Sequence, residues 1–265
     1  MGISLSRTIL AVVNLLGFAA AIVVNTLSTT VPLGGRTPGQ LSDQYPNLFV
    51  PAGLTFSIWG LIYLLLAIFV VYCFVFSARK PAQEDSFMEK VDVLFFITCL
   101  ANLGWIFAWQ YQELPLSLVL MIILLCVLIL IYERLNVGNA PASSAEKYLV
   151  HLPISVYLGW ISIATIANVT AVLVAAKWTR FGMSEQLWAV VMIVVGIILA
   201  GLMLFRRNDI FYALVVGWAL VGILLKRIAD AATPAGAVML TTIIGISLIS
   251  LGILVQVARR RVYRR

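Results

Sequence analysis

The chain has 265 residues, of which 62% are hydrophobic and only 11% are charged, and its formal net charge is +7. A soluble domain of this size would expose far more charge, so the composition excludes a soluble globular protein. The sequence therefore predicts an all-α integral membrane protein, because helices satisfy their own backbone groups where lipid offers no hydrogen-bond partner.

Apolar runs long enough to cross a hydrocarbon core occur about eight times along the chain. Most of the connections between them are short, which predicts antiparallel neighbours in one bundle. The predicted spans are residues 5–27, 53–77, 89–110, 114–132, 149–175, 187–205, 209–225 and 237–258.

The connection after the first span, residues 28–52, is long for a loop in a compact bundle. Its leucines and aromatic residues give it apolar material to bury, while its glycines and prolines enforce turns. These features predict a folded lid over the bundle. Pro46 and Pro51 are predicted to end the lid and to start the second helix, since proline suits a first helical turn.

Lysine and arginine are more frequent in the connections that share a side with the N-terminus, and the chain ends in the basic sequence RRRVYRR. This distribution predicts a multi-pass protein of the cell (cytoplasmic) membrane with both termini in the cytoplasm. The basic tail is interpreted as a topology anchor against anionic lipid. The lipid bilayer is therefore the predicted partner, and no nucleic-acid partner is expected.

Acidic and basic side chains do not occur in the middle of any predicted span. Ion-coupled transport and hydrolysis in a membrane usually need such groups, so the sequence argues against a conventional enzyme. The lone histidine, His151, is interpreted as a hydrogen-bonded residue near the interface and not as a metal ligand. Small residues recur in the last three spans, which are interpreted as mainly structural.

The interior of the bundle instead carries asparagines and aromatic rings at helical spacing on four of the spans. A buried asparagine needs a partner, so these faces are predicted to converge on one pocket beneath the lid. Flat rings with amides and no charges suit a flat apolar ligand. The predicted ligand-binding residues are Asn25, Phe56, Trp59, Tyr63, Asn102, Trp105, Trp109, Tyr157, Trp160, Ala164 and Asn168.

Tryptophan also marks membrane interfaces, where its ring faces lipid headgroups. Trp109, Trp178 and Trp188 lie near predicted span ends and fit this second interpretation. For Trp109 the pocket and the interface therefore stay open as alternatives at this point.

Three motifs occur in order along the chain. Trp59 is followed by Tyr63 four residues later, after Pro51, and Asn102 precedes Trp105 by three residues. The fifth span carries a Tyr-x-x-Trp-x-x-x-Ala-x-x-x-Asn pattern at Tyr157, Trp160, Ala164 and Asn168. Over residues 5–176 these motifs resemble the translocator protein family, also called tryptophan-rich sensory proteins (TspO/MBR).

The resemblance implies a five-helix membrane bundle in residues 1–176, with the lid at 28–52. The three additional transmembrane helices and the basic tail in 177–265 depart from that pattern, so the chain is interpreted as a long, divergent member. The resemblance also implies a homodimer and a sensor-type receptor or carrier that binds a flat apolar ligand such as a porphyrin. Trp59 and Trp160 would be the tryptophans of that site, and Ala164 would touch the ligand.

No cofactor is expected to be required, and a tetrapyrrole, protoporphyrin IX or haem, is the implied ligand. Two alternatives stay open: a small-molecule transporter that lacks intramembrane charges, and photo-oxidative degradation of porphyrin. A purely structural membrane protein is the fourth interpretation of the same sequence.

Overall fold

The computed structural model describes residues 2–79, 87–230 and 235–262. In this part of the chain the regular structure is helical, and eight helices are long and apolar enough to cross a membrane. The chain is thus an all-α, multi-pass integral membrane protein, as predicted. The eight long helices are α1 (Gly2–Thr30), α2 (Ile58–Arg79), α3 (Phe87–Gln110), α4 (Leu114–Leu135), α5 (Leu152–Ala175), α6 (Glu185–Arg207), α7 (Ile210–Ala229) and α8 (Gly236–Val262).

The helix ends follow local capping chemistry. The Ser184 side chain accepts a hydrogen bond from the backbone N–H of Leu187 at the start of α6. Asp209 caps α7 in the same way, accepting from Phe211 and Tyr212 at 3.0 and 3.1 Å. Between these two helices Asn208 adopts the left-handed conformation, with φ of 52°, that ends α6. Only two residues therefore separate α6 from α7.

The first of two compact units contains residues 1–41 and 58–158. In it α1 contacts α2 and α3, and α3 contacts α4. The ring of Phe95 lies 6.3 Å from that of Phe18 and 5.0 Å from that of Phe69. Gly17 brings α1 close to α3, because a Cβ there would lie 2.6 Å from the ring of Phe96. Aromatic packing against a small residue thus holds this unit together.

The second unit contains residues 42–57 and 159–265. Helices α6, α7 and α8 contact one another within it. The predicted close helix contacts at small residues occur at Gly245, where a Cβ would lie 2.5 Å from Ile197. Gly201 differs, since its missing Cβ would point into open space. Residues 263–265 of the basic tail lie outside the described residues.

The connection after α1 is folded. It contains a short helix, Pro38–Ser42, and the side chains of Leu41, Phe49 and Val50 are buried. Burial of these apolar residues agrees with the folded segment predicted from the sequence. Whether the segment closes over a ligand stays a prediction.

The second span begins at Gly53, as predicted, but its first residues are not α-helical. Residues Gly53–Ser57 form a 3₁₀ turn, and the α-helical part starts only at Ile58. A long-range hydrogen bond lies directly before this turn, in which the backbone N–H of Ala52 donates to the carbonyl of Gly222 at 3.0 Å. The buried Pro51 precedes this turn and does not start α2 directly. Phe56 consequently lies on the 3₁₀ turn and not one α-helical turn before Trp59.

Candidate functional site

A row of stacked rings runs through the first unit. The ring centroids of Tyr63 and Trp59 lie 5.4 Å apart with their planes 17° from parallel. Trp59 also stacks on Trp105 at 5.9 Å, and Trp105 on Trp109 at 6.1 Å. Tyr157 meets Trp59 edge to face at 6.2 Å. Rings from α2, α3 and α5 thus form one wall, as the helical spacing of these residues predicted.

A pair of asparagine side chains lies beside this wall. Asn25 on α1 donates from Nδ2 to Oδ1 of Asn102 on α3 at 2.8 Å. The same oxygen accepts from the hydroxyl of Tyr63 at 3.4 Å. Two of the predicted polar positions therefore satisfy each other across the helix pair, as buried amides in a membrane must.

The amide nitrogen of Asn102 is the exception. Nδ2 is buried, with 1% of the residue exposed, and makes no hydrogen bond of standard geometry within the described part of the chain, although the Tyr157 hydroxyl is a polar group near Asn102. A buried N–H group without an acceptor costs about 1–3 kcal/mol, which native structures rarely leave uncompensated. The Asn102 amide is thus a donor that a bound acceptor would satisfy.

The C-terminal end of α3 contacts the connection that follows α1. The indole N–H of Trp109 donates to the carbonyl of Pro38 at 3.2 Å, and the side chain is 5% exposed. Trp109 is therefore an internal residue, and the interface interpretation is wrong for it. Gln110 donates to the Ser28 carbonyl at 3.3 Å and accepts from the N–H of Gly34 at 3.2 Å.

Sequence reasoning did not identify Gln110. The available signal was its position, since a long polar amide directly follows the Trp109 motif at the end of a span. Gly34 is bound to this position as well, because a Cβ there would lie 2.4 Å from the carbonyl oxygen of Gln110. The chain at Gly34 thus packs against the end of α3 without room for a larger residue.

The remaining predicted residues belong to the second unit. The ring of Phe56 meets that of Trp160 edge to face at 5.9 Å, and Trp160 is buried. Asn168 is also buried, whereas Ala164 between them is partly exposed. Both lie on α5, four and eight residues after Trp160, on one helix face.

The structure therefore distributes the predicted residues between its two units. The first unit gathers Asn25, Trp59, Tyr63, Asn102, Trp105, Trp109 and Tyr157. The second contains Phe56, Trp160, Ala164 and Asn168. Their binding of a ligand stays a prediction.

Contacts from α7 to residues 42–57 were also missed by sequence reasoning. The indole N–H of Trp218 donates to the carbonyl of Thr55 at 3.0 Å, and Lys226 forms an ion pair with Asp43. Gly222 lies between these two positions and accepts from Ala52. We call Trp218, Gly222 and Lys226 the α7 stripe, since a spacing of four places them on one helix face. The spacing of four residues within the α7 stripe was the only feature of the sequence that indicated these contacts.

These features define a class of protein: a multi-pass membrane protein whose spans carry buried aromatic rings and hydrogen-bonded asparagines. A family model for TSPO-like protein matches residues 11–255. The chain belongs to the TSPO-like protein family, which confirms the resemblance that the motifs indicated. The matched range includes α6, α7 and most of α8, beyond the residues that carry those motifs.

Neither a curated protein nor a solved structure gives a match to this chain. Membership of the TSPO-like family indicates a membrane protein with a role of the sensor or transporter type.

Proposed function

We propose that the protein is a sensor-type membrane receptor or carrier that binds a flat apolar ligand of the porphyrin type against the ring wall of the first unit. The observation that carries this proposal is the buried Nδ2 of Asn102, which makes no hydrogen bond of standard geometry among the described residues and lies beside four stacked rings. A flat ligand with an acceptor atom at its edge would complete that hydrogen bond.

The chemistry of the residues supports a conjugated ring system as ligand. Indole and phenol rings bind flat apolar surfaces by stacking, at about 0.5–1.5 kcal/mol per aromatic pair beyond the burial of area. Neutral amides then fix the orientation of the ligand without the cost of a buried charge. Protoporphyrin IX and haem combine a large flat ring with carboxyl groups at one edge, whose carbonyl oxygens accept hydrogen bonds in the neutral form, so a tetrapyrrole is the proposed ligand class.

Titration of the purified protein with protoporphyrin IX tests the proposal. The dissociation constant is read from the porphyrin absorbance, with tryptophan quenching as a second signal. We expect saturable binding in the wild type, and dissociation constants about tenfold larger in Trp59→Leu and Asn102→Leu, because each loses about 1–2 kcal/mol of stacking or hydrogen bonding. Trp160→Leu is included to test the predicted residues of the second unit.

Trp188→Leu is the matched control, because it removes an indole that belongs to neither the ring wall nor the Phe56 contact. Equal affinities in the wild type, Trp59→Leu and Asn102→Leu would place the ligand elsewhere and overturn the proposal. Thermal unfolding of each variant separates a lost contact from a lost fold.

The finer assignments are part of the same proposal: a cell membrane protein with both termini cytoplasmic, working as a homodimer. Two activities compatible with this site have their own measurements. Flux of a labelled porphyrin into proteoliposomes above that in protein-free vesicles would identify a transporter. Faster loss of porphyrin absorbance under light with protein than without it would identify photo-oxidative degradation.

A further inference from the structure

A cavity lies within the second unit, and none of the residues proposed above to bind the porphyrin lines it. Its volume is about 360 Å³. The lining comes from the end of α5, the loop 176–184, the start of α6 and residues 46–47. Because α5 and α6 both cross the membrane, a cavity formed by their connected ends lies where a span meets the headgroup layer.

Two cations line this cavity. Lys177 and Arg180 both belong to its lining, and Glu185 is the acidic residue in the same lining. Within the described residues neither cation has a carboxylate within ion-pair distance, and Arg180 donates only from Nε to the carbonyl of Met183 at 3.4 Å. Both cations therefore keep hydrogen-bond donors for an anionic group.

The lining of the cavity also includes aromatic and apolar side chains. Trp178 meets Trp188 edge to face at 4.8 Å, and Leu173 and Val174 continue the surface along α5. Next to it the ring of Phe181 packs on Trp178 at 4.9 Å, yet Phe181 is 83% exposed. A large exposed aromatic residue at the end of two spans is typical of a segment that dips into the lipid interface.

We infer that this cavity, which we call the α5–α6 pocket, binds the headgroup of an anionic phospholipid. Lys177 and Arg180 would hold the phosphate, and Trp178 and Trp188 would pack on the glycerol and the first acyl carbons. Arginine and lysine are the usual partners of phosphate oxygens, and tryptophan prefers this depth of the bilayer. The position of the pocket at the span ends favours lipid over a soluble anion as the source of the phosphate.

Quenching by brominated lipid tests this inference in the full-length protein. The protein is reconstituted in phosphatidylcholine vesicles, and part of that lipid is replaced by brominated phosphatidylglycerol or, in parallel, by brominated phosphatidylcholine. We expect stronger quenching by the brominated phosphatidylglycerol, and we expect Trp178→Phe combined with Trp188→Phe to remove most of the difference between the two lipids. The preference for phosphatidylglycerol should fall about fivefold for each cation removed in Lys177→Gln and Arg180→Gln.

Arg36→Gln is the matched control, because it removes one exposed cation from another loop. Arg36→Gln should retain the wild-type lipid preference, and so should the charge-conserving variant Lys177→Arg. Equal preferences in Arg36→Gln and Lys177→Gln, or no preference in the wild type, would overturn the inference. Glycerol phosphate added in solution separates the two sources of phosphate: displacement of the lipid at millimolar concentration would assign the pocket to a soluble anion.

Discussion

Asn102 shows how much one side chain decides in a membrane interior. Its oxygen is used twice, by Asn25 and Tyr63, while its nitrogen is buried without a partner in the described residues. The cost of burying an amide made this position predictable from the sequence, because asparagine in a span needs a specific reason to be there. Which of its two polar ends would be satisfied could not be predicted, since that depends on how α1 and α3 rotate against each other.

The Asn25–Asn102 hydrogen bond leads to a prediction about stability. Asn25→Leu removes the donor and leaves the Asn102 oxygen with the longer Tyr63 contact, so we expect a loss of about 1 kcal/mol in the free energy of unfolding. Asn25→Leu combined with Asn102→Leu should lose less than the sum of the two single variants, because no buried amide is then left without a partner. Unfolding in detergent by denaturant measures all three.

Thr26→Val is the control for that cycle, since Thr26 is the exposed neighbour of Asn25 on α1. It also replaces a polar side chain by an apolar one, but it should leave stability within about 0.5 kcal/mol. Strictly additive effects of the two asparagine variants would contradict the coupling that the structure shows.

At the scale of helices, the local sequence pattern predicted the features that depend on neighbouring residues, namely the spans and the helix faces. The eight spans follow from apolar length alone, and the faces of Trp59 and Tyr63 or Trp105 and Trp109 follow from helical spacing. The 3₁₀ turn at 53–57 could not be predicted, because Ala52 directly before it donates its backbone hydrogen bond to Gly222, far along the chain. Long-range backbone pairing of this kind leaves no trace in local sequence.

Gly222 gives a prediction for the contact between α7 and the 3₁₀ turn. A Cβ at this position would lie 1.9 Å from Oγ1 of Thr55, and the side chain of Thr55 is buried with little room to move. We therefore expect Gly222→Ala to lower the free energy of unfolding by about 1–3 kcal/mol through overpacking. Adding Thr55→Gly, which removes all the clashing atoms, should restore part of this loss.

Gly201→Ala is the control for this pair, because its added methyl group meets open space on α6. Replacing a helical glycine there should not destabilise, given the higher helix propensity of alanine. Equal stability of Gly222→Ala and Gly201→Ala in thermal unfolding would show that the 3₁₀ turn does not pack on α7 as described.

At the scale of the whole molecule, α7 also contacts a segment from much earlier in the chain. The α7 stripe contacts residues 42–57 at three successive turns, through Trp218, Gly222 and Lys226. The family match likewise continues through α7 and most of α8. Helix α7 thus contacts residues 42–57. The motifs of the first five spans did not predict this contact.

Hydrogen exchange can measure this coupling in the full chain. Trp218→Phe with Lys226→Gln removes two of the three contacts, while the Ala52–Gly222 hydrogen bond remains to report on the segment. The ion pair is partly exposed and contributes at most about 1 kcal/mol, and the indole hydrogen bond contributes about 1 kcal/mol. Local opening of residues 42–57 should therefore become about fivefold to tenfold more frequent, with a matching rise in the exchange rate of their amides. Phe205→Leu with Arg206→Gln also removes an aromatic ring and a cation, from exposed positions on α6, and should leave those rates unchanged. If both double variants exchange at the wild-type rate, the segment is stabilised by its own buried side chains, Phe49 and Val50, and α7 only lies beside it.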